Sequence, residues 1–486
     1  MIARRQLLAA GAVAPWIRTT SAVADADVAR LLIDTRRQPL LESLVARIRS
    51  GLRPEQLLRG LAIAACREVS PYPHVGFRYH AVMMLRSVEL SVAGMPDERR
   101  WLPLLWTANY FKSASGQQDH FRPWSLPAIA ETSGGLPELE AALAAWDRDA
   151  ADRAAHGMVM GGDAGSALQT LMLHAARDFR AIGHKTIAAA NAHRLCRAFG
   201  DDRLLAEPVV RSLALAVQNP QGDDFPAGHE YLADHDWKTN RPIGAALPGN
   251  WSRGREDLSA ARTLLQELRT ASSETAVTAA ADLLEGGISA DTVWEAVAMF
   301  AAEMVLRRND IVAVHANTTA EAMRYCYEAS DADAARRMLI LQAVAFMPRF
   351  RELTTPRPGA RDRRIDTVEP AAAGSLDEVF ETLGRSRYNA VRQALGWLDT
   401  GGSPVALADR LRWYATLKNR GTHDIKFTEA MLENYRLLRF GWRNRLLAAS
   451  LMYANASRVP DDETVVRAQS LLQRATGTTE DGAARI

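Results

Sequence analysis

Cysteine is scarce in this sequence. Three cysteines occur in 486 residues, at positions 66, 196 and 326, and no two of them form a C-x-x-C pair. A disulfide framework is therefore not indicated, and without C-x-x-C-H there is no support for covalently attached haem. Because each cysteine lies in an apolar stretch with helical spacing, we predict three buried free thiols.

An excess of charge of one sign is also missing, because 59 lysines and arginines stand against 57 acidic residues. Without a strong basic excess, a chain has little long-range attraction for phosphate backbones or anionic membranes. We therefore expect neither nucleic acid nor a membrane surface as a partner. The hydrophobic fraction of 48% and the charged fraction of 24% are those of a globular domain.

Alternation of apolar and polar residues, which marks half-buried strands, is not sustained anywhere in the chain. Nearly every segment from 28 to 475 instead has apolar residues three and four positions apart, as amphipathic helices do. The sequence therefore predicts an all-α protein. P-loop, H-E-x-x-H and G-x-S-x-G motifs do not occur, and the glycine-rich stretch 156–171 lacks G-x-G-x-x-G. A nucleotide cradle is not expected.

Three stretches rich in glycine, proline or serine interrupt the helical pattern, at residues 113–137, 219–256 and 354–374. Loops of this length in a compact domain are either functional or disordered. The middle stretch contains two tryptophans, so we expect it to be an ordered cover over a pocket. Its histidines, His229 and His235, are interpreted as residues of a polar loop rather than as metal ligands.

The N-terminus has the layout of an export signal. Arg4 and Arg5 precede a short apolar run over residues 6–17, and Ala22 and Ala24 supply an A-x-A cleavage site. Paired arginines are typical of the route that exports folded proteins. We predict cleavage after Ala24 by way of the twin-arginine export machinery, and a periplasmic or secreted mature protein without a membrane span. The predicted organisation is a signal over residues 1–24, a single all-α domain over 25–475 and a flexible tail over 476–486.

Four segments share one pattern, in which a histidine is followed by a helix of about three turns, a short polar loop and a second apolar helix. They begin near His80, His184, His315 and His423, at spacings of 104, 131 and 108 residues. These spacings are too long for a tight solenoid. They favour a multi-helical bundle or closed array built from about four diverged helical hairpins. The four histidines, called the histidine tetrad from here on, would then face a common centre.

Imidazole suits a shared centre because its neutral nitrogen ligates Fe, Cu or Zn and because it moves protons near neutral pH. At the start of a helix the dipole disfavours the protonated ring, which keeps the nitrogen available. The residues alone leave three interpretations open: a metal site, a metal-free proton-transfer site and a structural remnant of duplication. Four histidines without a carboxylate differ from the two-histidine, one-carboxylate set that is common for non-haem iron.

The segments "YHAVMMLRSVELSVAG", "GHKTIAAANAHRL", "VHANTTAEAMRYC" and "THDIKFTEAMLENY" resemble the four histidine-bearing signatures of the questin oxidase-like family. In that family an H-A-x-T helix, here His315 with Thr318, is followed by an H-x-x-K-x-x-E-A segment. The second segment is matched here by His423 with Lys426 and Glu429. The resemblance extends over roughly residues 30 to 455, although only these short islands are specific.

The resemblance implies a helical, oxygenase-like enzyme that inserts oxygen beside a ring carbonyl in a Baeyer–Villiger-type reaction and uses NADPH. The tetrad would then hold an oxygen-binding metal or polarise the carbonyl directly, while Lys426, Lys185 and Arg177 would stabilise a developing oxyanion. The sequence departs from the family because His184 and His193 are nine residues apart rather than about seven. The export signal also argues against freely exchanging NADPH and favours a tightly bound cofactor.

Two functional hypotheses follow. The first is an exported oxidoreductase acting on a cyclic, aromatic or polyketide-like small molecule, with the tetrad and Lys426 as catalytic residues and Fe, Cu or Zn as a candidate cofactor. The second is a non-enzymatic helical scaffold or ligand-binding protein with structural histidines. The enzyme predicts imidazoles within a few Å of one another in a covered pocket, whereas the scaffold predicts scattered histidines and an exposed groove. Aromatic side chains are either core residues or a stacking platform for the substrate: Trp101, Trp106, Tyr110 and Phe111.

Overall fold

The computed structural model describes residues 22–116, 123–130, 134–200, 202–220, 232–439 and 441–476. Over these ranges the chain forms 23 α-helices and four short 3-10 helices, with one isolated bridge between Arg255 and Ile288 and no strand. The all-α prediction is confirmed. The helices are α1 (Ala22–Asp34), α2 (Leu40–Arg49), α3 (Pro54–Glu68), α4 (His80–Met83), α5 (Leu85–Ala93), α6 (Trp101–Ala114), α7 (Leu136–Ala145), α8 (Arg148–Met160), α9 (Ala164–Ala175), α10 (His184–Phe199), α11 (Arg203–Val217), α12 (Leu232–Ala246), α13 (Leu258–Thr270), α14 (Ser273–Glu285), α15 (Ala290–Arg307), α16 (Ile311–Ala329), α17 (Asp333–Glu352), α18 (Leu376–Leu383), α19 (Arg387–Asp399), α20 (Pro404–Leu417), α21 (Thr422–Leu437), α22 (Arg443–Ala449) and α23 (Glu463–Thr476).

The paired arginines of the predicted export signal, its apolar run, and the tail from residue 477 onwards lie outside the described residues. Within the described part of the chain, no helix is both long and apolar enough to cross a lipid bilayer. Cys66, Cys196 and Cys326 are buried and free. The prediction of three buried thiols is confirmed.

Local sequence signals explain many of the helix starts. At ten of the described helices a serine or aspartate side chain accepts a hydrogen bond from the first turn, which satisfies a backbone N–H that would otherwise lack a partner. These residues are Asp147, Asp202, Asp257, Ser272, Ser289, Asp310, Ser375, Ser386, Ser403 and Asp462. Helices α10 and α21 differ, because they begin after Gly183 and Gly421 and have no side-chain cap.

Three helices that carry tetrad histidines, α10, α16 and α21, pack in a closed ring with α5, the helix that directly follows the short His80 helix α4. Helix α10 packs against α16, α16 against α21, α21 against α5, and α5 returns to α10. Each ring helix also packs against the helix that follows it: α5 with α6, α10 with α11, α16 with α17, and α21 with α22. This arrangement agrees with the predicted array of four helical hairpins around a common centre.

A histidine at the start of its helix is confirmed for His80, His184 and His423. The prediction is wrong for His315. His80 opens α4, His184 opens α10 and His423 is the second residue of α21. His315 is the fifth residue of α16, one turn inside the helix. The reason is an earlier start signal, because the side chain of Asp310 accepts a hydrogen bond from the N–H of Ala313.

The loop predicted over residues 219–256 is wrong in part, because it contains α12 (Leu232–Ala246). Pro242 lies inside this helix, and because proline usually ends or breaks a helix, the sequence did not predict one here. Tertiary contacts stabilise it: Asp234 pairs with Arg180 at 2.6 Å and Asp236 with Arg349 at 2.9 Å. The described residues of the other two stretches have little regular structure. Stretch 113–137 contains only the last residues of α6 and the first residues of α7, and stretch 354–374 contains one 3-10 turn.

Candidate metal centre

The fold brings the four histidines of the tetrad together, as predicted. Nε2 of His184 lies 2.8 Å from Nε2 of His315 and 3.2 Å from Nε2 of His80. The ring of His423 has its centroid 4.6 Å from that of His80 and 5.0 Å from that of His315. One nitrogen from each of the four rings lies within 4.8 Å of the others. A group this compact can hold one metal ion.

Backbone carbonyls fix the orientation of three of these rings. Nδ1–H of His80 donates to the carbonyl of Phe77 at 2.6 Å, and Nδ1–H of His315 donates to that of Ile311 at 2.7 Å. Nδ1–H of His184 donates to Ala181 at 2.5 Å. A carbonyl oxygen only accepts, so Nδ1 carries the hydrogen and Nε2 keeps its lone pair. Metal-ligating histidines are commonly held in this way.

Burial keeps all four imidazoles neutral. Desolvation lowers the pKa of His80, His184 and His423 well below its ordinary value, and it lowers the pKa of His315 to about 3. The nearby charge of Lys426 lowers these pKa values further. A neutral imidazole is the form that ligates a metal, so the tetrad is ready to bind a cation without first releasing protons.

The lone pairs of the tetrad face one another at short range. If Nδ1 holds the hydrogen in His184 and His315, two lone pairs meet at 2.8 Å with no proton between them. That contact is repulsive unless a proton or a cation lies between the rings, and burial opposes the proton. A metal ion with nitrogen ligands at roughly 2.0–2.1 Å places neighbouring ligand atoms about 3 Å apart. The two Nε2–Nε2 distances from His184, 2.8 Å to His315 and 3.2 Å to His80, are close to this spacing.

Lys426 lies three residues after His423, on the same face of α21. Its side chain is fully buried, and Nζ has no hydrogen-bond partner among the described residues. Burial lowers its pKa to about 7. Lys426 does not line the cavity in front of the tetrad. It lines a smaller space of about 20 Å³ between the ring helices, large enough for one water molecule.

A cavity of about 680 Å³ opens directly in front of the tetrad, and all four histidines line it. The size is that of a pocket for a small organic molecule. Phe77 and Ile311 stand at its rim with 68% and 44% of their surfaces exposed. Tyr110 also lines the cavity and is stacked on Trp106, with ring centroids 5.5 Å apart.

Close packing of α10 against α16 depends on one glycine. Gly183 precedes His184 with a φ of +80°, in the left-handed region that favours glycine. A Cβ at this position would lie 2.6 Å from Cγ2 and 2.9 Å from Cβ of Thr319 on α16. Only glycine therefore allows the start of α10 to approach α16 closely enough for His184 to reach His315.

Backbone strain is concentrated at this cavity. Four non-glycine residues in the described ranges have a positive φ, and three of them line it: Phe77 at 41°, Ala181 at 32° and Ile182 at 45°. Such conformations cost about 1–3 kcal/mol each and persist where the surrounding structure enforces them. Phe77 and Ala181 are the residues whose carbonyls orient His80 and His184. The strained backbone therefore positions two members of the tetrad.

Two residues expected to stabilise an oxyanion do not line the cavity. Lys185 donates to Asp178 at 2.9 Å, and Arg177 lies over the ring of Trp146 while donating to a backbone carbonyl. His193 interacts with the hydroxyl of Tyr325 and is not part of the tetrad.

The described residues bear only in part on the expected cover and stacking platform. Among the described residues of 219–256, none lines the cavity, and His235 is exposed on α12. His229 lies outside the described residues. Of the four aromatic residues considered for a platform, Tyr110 alone lines the cavity, while Phe111 is buried in the core.

A layer of ion pairs next to the tetrad was missed by the sequence analysis. Arg412 pairs with Glu429 at 2.9 Å, and Arg194 pairs with Glu321 between α10 and α16. All four side chains are buried. Both glutamates follow a tetrad histidine by six residues, so this shared spacing in the third and fourth copies was a signal that could have revealed the layer.

Comparisons of the chain with protein-family models, with curated proteins and with solved structures found no match. The geometry of the site therefore carries the functional argument.

Proposed function

We propose that this protein is a metal-dependent oxidoreductase that binds one transition metal ion at the tetrad and oxidises a cyclic small molecule in the adjoining cavity. One observation supports the proposal above all others. Neutral imidazole lone pairs converge at 2.8 and 3.2 Å on the wall of a ligand-sized cavity.

The ligand set favours iron, copper or zinc. Imidazole suits each of these metals, whereas Mg²⁺ and Ca²⁺ prefer oxygen ligands that the tetrad does not offer. Structural zinc sites are closed on all sides by protein. The tetrad instead faces a cavity, so a metal held there remains accessible to a further ligand, and this accessibility favours catalysis over a structural role.

The proposed reaction is an oxygen insertion into a ring beside a carbonyl. One oxygen atom of dioxygen enters the ring and the other leaves as water, while a donor outside this chain supplies two electrons and two protons. A bound metal would activate oxygen or polarise the carbonyl. The neutral imidazoles of the tetrad would hold the metal, and the apolar rim at Phe77 and Ile311 would limit the access of water to the reacting atoms.

Lys426 acts through the tetrad in this proposal rather than by touching the substrate. Its side chain lies on α21 near the imidazoles but does not line the cavity. When charged, it opposes protonation of all four rings, which keeps them available as ligands. It is therefore a positioning residue for the electrostatics of the site.

The family relationship and the location of the protein belong to the same proposal. The matching motifs around His315 and His423 support membership of the questin oxidase-like family. The twin arginines support export of the folded protein to the periplasm, with the metal loaded beforehand. NADPH is not the expected donor at that location, so we propose that electrons come from a tightly bound or protein-borne source.

Elemental analysis of the purified protein tests the metal site. We expect one equivalent of Fe, Cu or Zn in the wild type and in His235→Ala, the exposed matched control. His315→Ala and His184→Ala should lose the metal and keep their helical circular dichroism. A wild-type protein that takes up no metal would contradict the proposal and favour a scaffold with structural histidines.

An oxygen electrode tests the redox chemistry. The metal-loaded protein, given a cyclic ketone and a chemical electron donor, should consume dioxygen, and the variant His315→Ala should not. A metal-loaded protein that consumes no oxygen with any cyclic carbonyl compound would contradict the oxidoreductase proposal and leave only a metal-binding protein.

A further inference from the structure

We propose that His74, a fifth histidine that lines the cavity and is not part of the tetrad, carries protons between solvent and the reacting atoms. The inference rests on the proposed function because it assigns the proton supply of the same site. Two features support it: the position of His74, and the hydrogen bonds that the tetrad makes and His74 lacks.

The proposed chemistry consumes protons inside the cavity. Reduction of dioxygen by two electrons takes up two protons and gives hydrogen peroxide. Oxygen insertion also takes up two protons, because the second oxygen atom leaves as water. An oxygen atom that gains charge without a proton is costly in an apolar cavity. A group that releases a proton there and regains it from solvent is therefore required at the wall.

The tetrad is poorly suited to supply these protons. Its Nε2 atoms face the proposed metal, and Nδ1–H of His80, His184 and His315 donates to backbone carbonyls at 2.6, 2.5 and 2.7 Å. A ligand ring held in this way keeps its hydrogen on Nδ1. Burial lowers the pKa of His423 well below its ordinary value, so this ring also stays unprotonated. The proton carrier is therefore to be sought outside the tetrad.

His74 lacks the restraint that fixes the tetrad rings. It is half-buried and lines the cavity. Its Nδ1 is buried and has no hydrogen-bond partner among the described residues. No carbonyl holds this nitrogen, so the ring is not locked in one tautomer. An unrestrained imidazole accepts a proton on one nitrogen and releases a proton from the other, which suits it to proton transfer near neutral pH.

The chain places His74 close to both the tetrad and the rim. The segment from His74 to His80 forms one side of the cavity. At Gly76 its backbone passes so close to His184 that a Cβ would lie 3.3 Å from Cε1 of that ring. Cα atoms two residues apart lie within about 7 Å of each other, so His74 begins near this contact. Its ring also lies beside that of Phe77 at the rim, with centroids 5.8 Å apart.

The other polar side chains that the structure describes on the wall outside the tetrad are less suited to the task. Burial raises the pKa of Tyr110 to about 12, so its phenol holds the proton firmly. The hydroxyls of Ser113 and Thr422 and the guanidinium of Arg78 do not exchange protons near neutral pH. An imidazole outside the metal site is the better carrier.

Oxygen reduction without an organic substrate tests the inference, because it consumes protons in the same cavity. The metal-loaded full-length protein is given ascorbate and dioxygen, and oxygen uptake and hydrogen peroxide release are followed. We expect His74→Gln to slow oxygen uptake by about a hundredfold, the lower end of what positioned acid–base groups contribute, with unchanged metal content. His74→Glu restores a group that exchanges protons and should recover part of the rate.

Two readouts distinguish proton transfer from a structural role. The buffer MOPS should accelerate His74→Gln in proportion to its concentration and leave the wild type unchanged, because the buffer then supplies the proton. The solvent isotope effect in D₂O should be larger in His74→Gln than in the wild type, because proton transfer then limits the rate. His235→Gln, at an exposed position on α12, is the matched control and should behave as the wild type.

His120 requires its own variant, because it follows the lining residue Ala114 in the chain and lies outside the described residues. A hundredfold loss in His120→Gln with a wild-type rate in His74→Gln would overturn the assignment to His74. A slow His74→Gln that responds to neither MOPS nor D₂O would also overturn it. Wild-type oxygen uptake that does not depend on His74 contradicts only the inference. A metal-loaded wild type that reduces no oxygen contradicts the proposed oxidoreductase and removes the inference with it.

Discussion

Lys426 carries a charge that the folded protein tolerates poorly, and this gives a quantitative prediction. Its side chain is fully buried, with Nζ lacking a hydrogen-bond partner among the described residues. Burial lowers the pKa from 10.5 to about 7. Since each pKa unit corresponds to 1.36 kcal/mol, the charged lysine costs the folded state about 5 kcal/mol.

The sign of the pH dependence follows from proton binding in the two states. Between pH 7 and 10.5 the unfolded chain keeps the proton on Lys426 while the folded protein has lost it, so stability rises with pH. The full cost is present below pH 7. From pH 7 to pH 9 the wild type should therefore gain about 2 to 3 kcal/mol relative to Lys426→Met, which cannot titrate.

Urea unfolding of the metal-free protein at pH 7, 8 and 9 measures this difference. The Met variant should be more stable at pH 7, and its advantage should shrink as the pH rises. Groups shared by both proteins cancel in the comparison, and Lys238→Met, at an exposed position on α12, should show no such trend. A stability difference that stays constant from pH 7 to 9 would refute the burial argument.

Two further predictions concern the framework of the tetrad. Gly183→Ala should destabilise the protein by about 1–3 kcal/mol more than Gly200→Ala and should reduce its metal content. Both glycines have a φ near +80°, but only Gly183 lies against Thr319. Equal melting temperatures and metal contents in the two variants would contradict this prediction. Acid should destabilise the metal-free protein below about pH 6.5, since unfolded imidazoles take up protons that the buried tetrad refuses. Burial lowers the pKa of His315 to about 3, so this residue contributes up to about 1.4 kcal/mol per pH unit to the pH dependence of the unfolding free energy. His315→Gln should reduce that pH dependence by about the same amount. Thermal melts at pH 6.5 and pH 5 that show the same pH dependence in both proteins would contradict the prediction.

Local and repeated signals made the helices and the tetrad predictable. Amphipathic spacing is a property of neighbouring residues, and the recurring histidine marks equivalent positions in four hairpins. The sequence could not reveal α12, because Pro242 and Gly244 obscure its periodicity and its stability comes from distant partners, Arg180 and Arg349. The ion pairs beside the tetrad likewise join side chains from different helices, so their partners depend on packing.

The two lysines near the tetrad show how helical geometry decides a role. Lys185 directly follows His184, and one residue along a helix turns the side chain by about 100° away from its neighbour's face. It points to Asp178 instead. Lys426 follows His423 by three residues, and that spacing returns to nearly the same face. The spacing from the tetrad histidine alone could therefore have predicted that Lys426, and not Lys185, lies on the tetrad side of its helix.

X-ray absorption spectroscopy of the metal in the purified protein tests the central claim most directly. The account predicts four nitrogen ligands at roughly 2.0–2.1 Å, with the outer-shell scattering pattern of imidazole rings, and the loss of this pattern in His184→Ala. A spectrum dominated by oxygen or sulfur ligands, or one unchanged by the loss of His184, would contradict the four-imidazole centre.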